Sequence, residues 1–212
     1  MRTTHGAILI DDKIIFGDNG FYIEAGANNG IDQSNTKDLE DKGWRGLLIE
    51  PNKLMFSECC ASRSDKNIFE NCALVSFGYT EKTICGNFAE TEQCQTLVSQ
   101  VTTLLEYWDI YQAEAAREKS HRQVIEVPAK TLQSLIDHHK IEKIDYLSLD
   151  VEGYEYEVME GLDFDKNSPT YIRVETSTIQ YRIDSMTKYM KSKGYEFRGM
   201  ASNNDCFYAK VK

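Results

Sequence analysis

Apolar residues along this chain fall into short runs whose spacing predicts alternating strands and helices. Phe21-Tyr22-Ile23-Glu24, Leu47-Leu48-Ile49-Glu50 and Tyr146-Leu147-Ser148-Leu149-Asp150 are the near-continuous runs expected of strands buried on both faces, and each ends in an acid. A turn signal follows each acid: Gly26-Ala27-Asn28-Asn29-Gly30, Pro51-Asn52 and Val151-Glu152-Gly153. Helical spacing predicts a helix over 31–43, closed by Gly43 and anchored by Ile31 and Leu39, and another over about 52–62 with Leu54, Met55 and Phe56 inward. Ile68-Phe69 and Cys72 to Val75 read as a third strand, and 77–88 as a hairpin. Leu97, Val101, Leu104, Leu105, Trp108 and Tyr111 predict an inserted amphipathic helix between Gln95 and Ala113.

Farther on, Val124 to Val127 reads as a strand stopped by Pro128, and Leu132, Leu135 and Ile136 mark a short helix. Val158, Met159 and Leu162 supply the next helix, Tyr171 to Val174 a strand, and Ile183, Met186, Tyr189 and Met190 a helix ended by Gly194. The runs at 195–197 and 206–211 are expected to pair as an antiparallel edge, and short extended pieces at 8–10 and 14–16 precede the first main strand. Regular strand and helix alternation predicts a doubly wound, mostly parallel α/β sheet with helices on both faces. The 212 residues suit one domain, with 1–20 as an N-terminal extension and 76–122 as an insertion.

In such a sheet, ligands sit outside the carboxyl ends of the strands, so three acids at three strand ends can converge on one ligand. Gly26 and Gly30 permit a tight turn, although Asn28 stands where the dinucleotide fingerprint places its second glycine. Glu50 lies about twenty residues on, where an acid accepts hydrogen bonds from ribose hydroxyls. Together these point to an adenosine-type ligand and leave a nicotinamide cofactor and S-adenosylmethionine (SAM) both open. Asp150-Val151-Glu152-Gly153-Tyr154-Glu155 is the most acidic local string. Capping of the following helix accounts for Glu155 but not for Asp150, which ends a buried strand.

Composition narrows the partners. A net charge of -10 disfavours nucleic acid, because repulsion from phosphates precedes contact. Near the amino end the longest apolar run, Ala7-Ile8-Leu9-Ile10, is too short for a signal peptide or membrane span, so a soluble, cytoplasmic protein is expected. The six cysteines lack metal-ligand or disulfide-framework spacing and read as reduced thiols; His138 and His139 are assigned no chemistry. Tyr107, off the apolar stripe of the inserted helix, is the better aromatic for an acceptor contact, and Trp108 is expected in the core. Arg117, Lys119, His121 and Arg122 form a small basic cluster.

The acidic string resembles the signature of FkbM-type SAM-dependent methyltransferases. Gly26-Ala27-Asn28-Asn29-Gly30, Ser34-Asn35-Thr36 with Leu39-Glu40, the run from Gly43 to Asn52, Arg63, Ala73-Leu74 and Asp150 to Glu155 are similar to that family in order and approximate spacing, over roughly residues 20–176. The resemblance implies a Rossmann-like class I methyltransferase fold, with SAM at the strand ends and sugar, glycan or glycosylated small-molecule hydroxyls as acceptors. By position it implies that Glu24 and Gly26 to Gly30, including Ala27 and Asn28, cradle the methionine part with Ser34 nearby. Glu50, with Pro51 and Asn52, would hold the ribose, and the stretch from Asn71 to Ala73 the adenine. Glu24 replaces the family's usual aspartate. Asp150 and Glu152 are expected to face the reacting centre, with Glu175 as a second base or clamp. If a divalent cation takes part, Asp150, Glu152 and Glu175 are its expected ligands. The insertion at 76–122 matches nothing in the resemblance and is expected to meet the acceptor.

Overall fold

The computed structural model describes residues 8–10, 13–89, 96–98, 122–176 and 180–211. Seven strands form the main sheet, in the order β12 (Tyr195–Met200), β13 (Asp205–Lys210), β11 (Tyr171–Glu175), β10 (Tyr146–Leu149), β3 (Phe21–Ala25), β4 (Arg45–Ile49) and β5 (Ile68–Glu70). From β5 to β11 every pairing is parallel, whereas β13 runs antiparallel to both its neighbours. Strand order reverses between β3 and β10, which makes their carboxyl ends the switch point where doubly wound sheets bind ligands.

The central strands are apolar because both faces are covered: all four residues of β10 are buried. On one face Ile23, Leu47, Leu147 and Ile172 pack with residues of α3 (Leu132–His138), α4 (Glu155–Glu160) and α5 (Gln180–Ser192). On the other, Tyr22, Tyr146 and Phe207 pack with Phe16, Trp44, Leu39 of α1 (Lys37–Glu40) and Cys59 of α2 (Lys53–Ser62). Phe16 lies 4.7 Å from the Tyr146 ring, and the Trp44 indole donates to the Gly17 carbonyl at 2.8 Å, which pins the approach to β3.

A smaller sheet has the order β6 (Ala73–Val75), β9 (Arg122–Thr131), β7 (Thr83–Ala89) and β8 (Thr96–Val98). β1 (Ile8–Ile10) and β2 (Lys13–Ile15) form a separate antiparallel ribbon.

Several expectations need correction. The helix foreseen over 31–43 is only α1, because the chain at Ser34 to Thr36 turns its hydroxyls and amides onto Glu24, a competing set of bonds that keeps it out of a helix. Ile31 is 46% exposed and anchors nothing. In α2 the inward residues are Met55 and Cys59, one turn apart, while Leu54 faces out. The strand foreseen across 68–75 is two: β5 ends beside Ile49 in the main sheet, and β6 pairs with β9 in the smaller one.

No hairpin forms within 77–88; β7 pairs instead with β8 and β9. Thr96 to Val98, expected to open the inserted helix, is strand β8, so the described part of that predicted helix is β structure. The rest of that helix, with Tyr107, Trp108 and the cluster Arg117, Lys119 and His121, lies outside the described residues. Pro128 does not stop β9. It falls where the strand changes partner, antiparallel to β7 up to Pro128 and parallel to β6 from Ala129, and the Ala129 amide resumes bonding to Lys82.

Candidate active site

Three loops leave the carboxyl ends of β3, β4 and β10 and close on one another through the backbone. The Gly26 and Ala27 amides donate to the Ile49 carbonyl at 3.0 and 3.1 Å, and the Asp150 amide donates to the Ala25 carbonyl at 3.1 Å. Gly26 has φ +81°, and a Cβ there would lie 1.8 Å from the Asp150 carbonyl oxygen. Glycine is thus required by both conformation and space. The loops bound a cleft that opens to solvent at the carboxyl ends of the strands.

Glu24, Gly26, Asn28, Glu50, Pro51, Ala73, Asp150 and Glu152 line this cleft. Ala27, Gly30, Ser34 and Asn52 stand behind its wall: Ser34 bonds Glu24, and Asn52 caps α2 by accepting from the Leu54 and Met55 amides. Glu175 is set back as well, but it follows Val174, the register partner of Leu149, and so stands beside Asp150.

Glu50 is 5% exposed, and its two oxygens accept from the Asn28 amide at 2.9 Å and the Asn52 amide at 2.8 Å. Each oxygen keeps a further acceptor position, as a vicinal diol requires. Burial pushes its carboxyl up to about 7, against the pull of the two amides. The Asn28 side-chain oxygen is buried beside it with no hydrogen-bond partner among the described residues. An orphaned acceptor in a cleft wall, next to a glycine turn with no room for a Cβ, is the pattern a bound polar ligand completes.

Glu24 differs from Glu50 in having its oxygens occupied by protein. They accept from Ser34, from the Asn35 amide at 2.7 Å, from Thr36 at 2.6 Å and from Arg63 at 3.2 Å. The fully buried Arg63 side chain also donates to the Gly30 carbonyl at 3.1 Å, Tyr22 at 2.8 Å and Glu40 at 2.7 Å. The first loop is therefore shaped by a carboxylate and guanidinium centre beneath it. Arg63 belonged to the resemblance but carried no role in the sequence reading, because its partners come from four separate segments.

At the far end of the cleft five acids gather. Asp150, Glu175 and Asp205 lie on one face of adjoining strand ends, with Glu152 and Glu155 on the loop and helix that follow β10. Arg173 pairs with Asp205 at 2.5 Å. Burial, then the charge of Asp205, raise Asp150 above the ordinary carboxylate range, and burial with Asp150 raises Glu175 further. Burial also lifts Glu152 and Glu155 to about 7. Neighbouring buried carboxyls disfavour each other's charge, so both Asp150 and Glu175 bind protons more readily than a free acid does.

Cys72, in the stretch expected at the adenine, also lines the cleft, as do Asn35 and Leu74, which belonged to the resemblance without a role; Asp32, Gln33 and Ser148 carried no signal in the sequence. Asn35 and Ser148 are 113 positions apart in sequence and hydrogen-bond at 3.1 Å, a pairing that strand register creates.

The doubly wound sheet, its antiparallel β13 and a cleft at the switch point make up a class I methyltransferase fold. The chain belongs to the FkbM methyltransferase family: the family described as "Methyltransferase FkbM domain" matches residues 24–197. Membership makes it a SAM-dependent methyltransferase, and the glycine turn, the diol-ready Glu50 and the orphaned Asn28 oxygen fit that cofactor. A solved structure of a fibrillarin/NOP5P complex is similar at TM-score 0.44 and 12% identity, covering 91% of this chain and 72% of that chain. No curated protein matches. Among the described residues, no helix is long and apolar enough to cross a membrane, and Cys59, Cys60, Cys72, Cys85 and Cys206 are free thiols.

Proposed function

We propose that this protein methylates a hydroxyl of a sugar, a glycan or a glycosylated small molecule in the cytoplasm, with Asp150 and Glu175 as the proton-accepting pair. The observation that supports the reading is the juxtaposition of those two acids, each directly after the paired Leu149 and Val174 at the ends of β10 and β11, with Asp150 lining the cleft. SAM, when bound, supplies an electrophilic methyl group. Glu50 and the Asn28 oxygen would take the ribose end, the turn at Gly26 the methionine part, and the Cys72 to Leu74 wall the adenine.

A sugar hydroxyl is a poor nucleophile until its proton has somewhere to go. Asp150, at the cleft surface, is placed to receive it, and Glu175 behind can pass or share the charge. Glu152 bounds the same space and, with Asp150, presents acceptors to neighbouring hydroxyls. Alignment of the acceptor oxygen is the larger effect, worth ~7–11 kcal/mol of barrier in well-oriented reactions. The acidic surface supports a neutral or cationic acceptor over a polyphosphate.

The test is transfer of labelled methyl from SAM to a panel of free sugars, sugar nucleotides, glycosides, RNA and peptides. Methylation of a sugar-bearing acceptor, reduced at least a hundredfold in Asp150→Asn while the variant still binds SAM, is the expected result. Methylation confined to RNA or peptide would overturn the acceptor class. Unchanged turnover in Asp150→Asn would remove the base assignment.

A further inference from the structure

We propose that Glu70, His138 and His139 form a binding site for a zinc-class divalent ion, outside the cleft and separate from the acids at its mouth. Among the described residues these side chains bring one ligand atom each within 4.8 Å of one another. Two imidazoles and a carboxylate are a donor set suited to zinc and its neighbours, not to magnesium or calcium, which favour oxygen alone. The group is assembled from two places: Glu70 ends β5, and His138 and His139 are the last residue and C-cap of α3.

The local geometry is already close to what an ion needs. One Glu70 oxygen sits 2.7 Å from His139 Nε2, and the two histidine rings lie 4.7 Å apart at 78°, edge toward face. The ligands of a tetrahedral zinc lie about 3.3 Å from each other, given bonds of about 2.0–2.1 Å. A small opening of the Glu70 and His139 pair and a rotation of the exposed His138 ring would reach that spacing. The other Glu70 oxygen accepts from Lys130 Nζ at 2.8 Å, which fixes the carboxylate so that its free side faces the imidazoles. Metal-binding carboxylates are commonly oriented by a hydrogen bond of this kind to their other oxygen. Three protein ligands leave a fourth position for water.

The ion would clamp the edge of the main sheet to the end of α3. Glu70 precedes Asn71, whose side chain donates to the Glu50 and Pro51 carbonyls at 2.8 and 3.0 Å, so the clamp would steady one corner of the cleft. The inference does not rest on the acceptor or on the role of Asp150.

The experiment is titration of the whole chain with zinc, against a competing chromophoric chelator, and with cobalt(II) followed by visible absorption. One equivalent of zinc bound at micromolar or tighter affinity, weakened at least tenfold in both His139→Ala and Glu70→Gln, is expected. Cobalt should show no thiolate charge-transfer band. X-ray absorption of the zinc-loaded wild-type chain should find two imidazole nitrogens, a readout independent of whether any variant folds. Sulfur ligands, an affinity unchanged by the substitutions, or no stoichiometric binding would each overturn the site.

Discussion

Gly26 and Asp150 meet backbone against backbone, so closely that the space between the first and third strand ends has no room for a methyl group. Gly26→Ala would have to hold φ +81° as well as relieve a 1.8 Å approach. The two loops should part, with a local cost on the order of 1–3 kcal/mol for the strained backbone alone. SAM affinity, measured by calorimetry, should fall at least tenfold while circular dichroism stays near that of the wild type. Unaltered affinity would show that the contact does not shape the cofactor site.

Arg63 is the buried cation that joins Glu24 to Glu40 beneath the first loop, while Lys37 meets Glu40 from the more exposed side at 3.4 Å. Arg63→Met leaves the buried Glu24 carboxylate without its cation, and breaking a buried pair costs about 3–5 kcal/mol. Urea unfolding monitored by tryptophan fluorescence should report that loss. Arg63→Lys should recover little of it, since one ammonium cannot replace three nitrogens donating in different directions. Full recovery by lysine would reduce the site to a simple point charge.

Glu50 should couple cofactor binding to pH. Its carboxyl, raised by burial to about 7, is largely protonated in mildly acidic solution. Ribose hydroxyls donating to it favour the charged form, so binding expels a proton. SAM affinity should therefore rise with pH, approaching tenfold per unit well below about 7 and levelling above it. Calorimetry in buffers of different ionisation enthalpy would detect the released proton, and Glu50→Gln should flatten the dependence. A pH-independent affinity in the wild type would contradict the placement of the ribose.

The acids at the cleft mouth should make the protein without ligand less stable as pH rises. Glu152 and Glu155 have ordinary values of 4.5 and folded values of about 7, so the folded chain holds protons that the unfolded chain has lost. Their stabilising contribution is complete below 4.5 and is lost as pH passes through about 7. Glu175, raised in the same direction, adds to the loss. Glu175→Gln should match wild type in melting temperature near pH 4.5 and exceed it at pH 8, by about 2–4 °C for each kcal/mol gained in a chain of this size. A variant less stable than wild type at pH 8 would mean that Glu175 is held charged by contacts not accounted for by its burial.

How much of this was legible in the chain depended on whether the signal was local. β3, β4 and β10 were readable because burial on both faces leaves unbroken apolar runs, and their terminal acids marked the cleft before any geometry was known. The turn at Gly26 was readable for the same reason. Ser34 to Thr36 was not, since helical spacing around it concealed that its polar groups serve Glu24. Nor could local pattern separate β5 from β6: the residues between them, Asn71 and Cys72, look like strand interior, yet the chain changes sheets there. The role of Arg63 was hidden because its partners are 23 to 41 positions away.

That change of sheet matters beyond topology. Ala73 and Leu74, which wall the cleft, belong to the outer strand of the smaller sheet, and their neighbour β9 is the strand that returns from the insertion. That wall of the cleft thus rests on the smaller sheet, through the strand that returns from the insertion, and not on the seven-stranded frame. Sequence drift in the insertion would be felt at the base-holding side of the cleft, while the carboxylates on the frame stay in place. A new acceptor could in this way alter how firmly the cofactor is held without altering the chemistry at its reactive end.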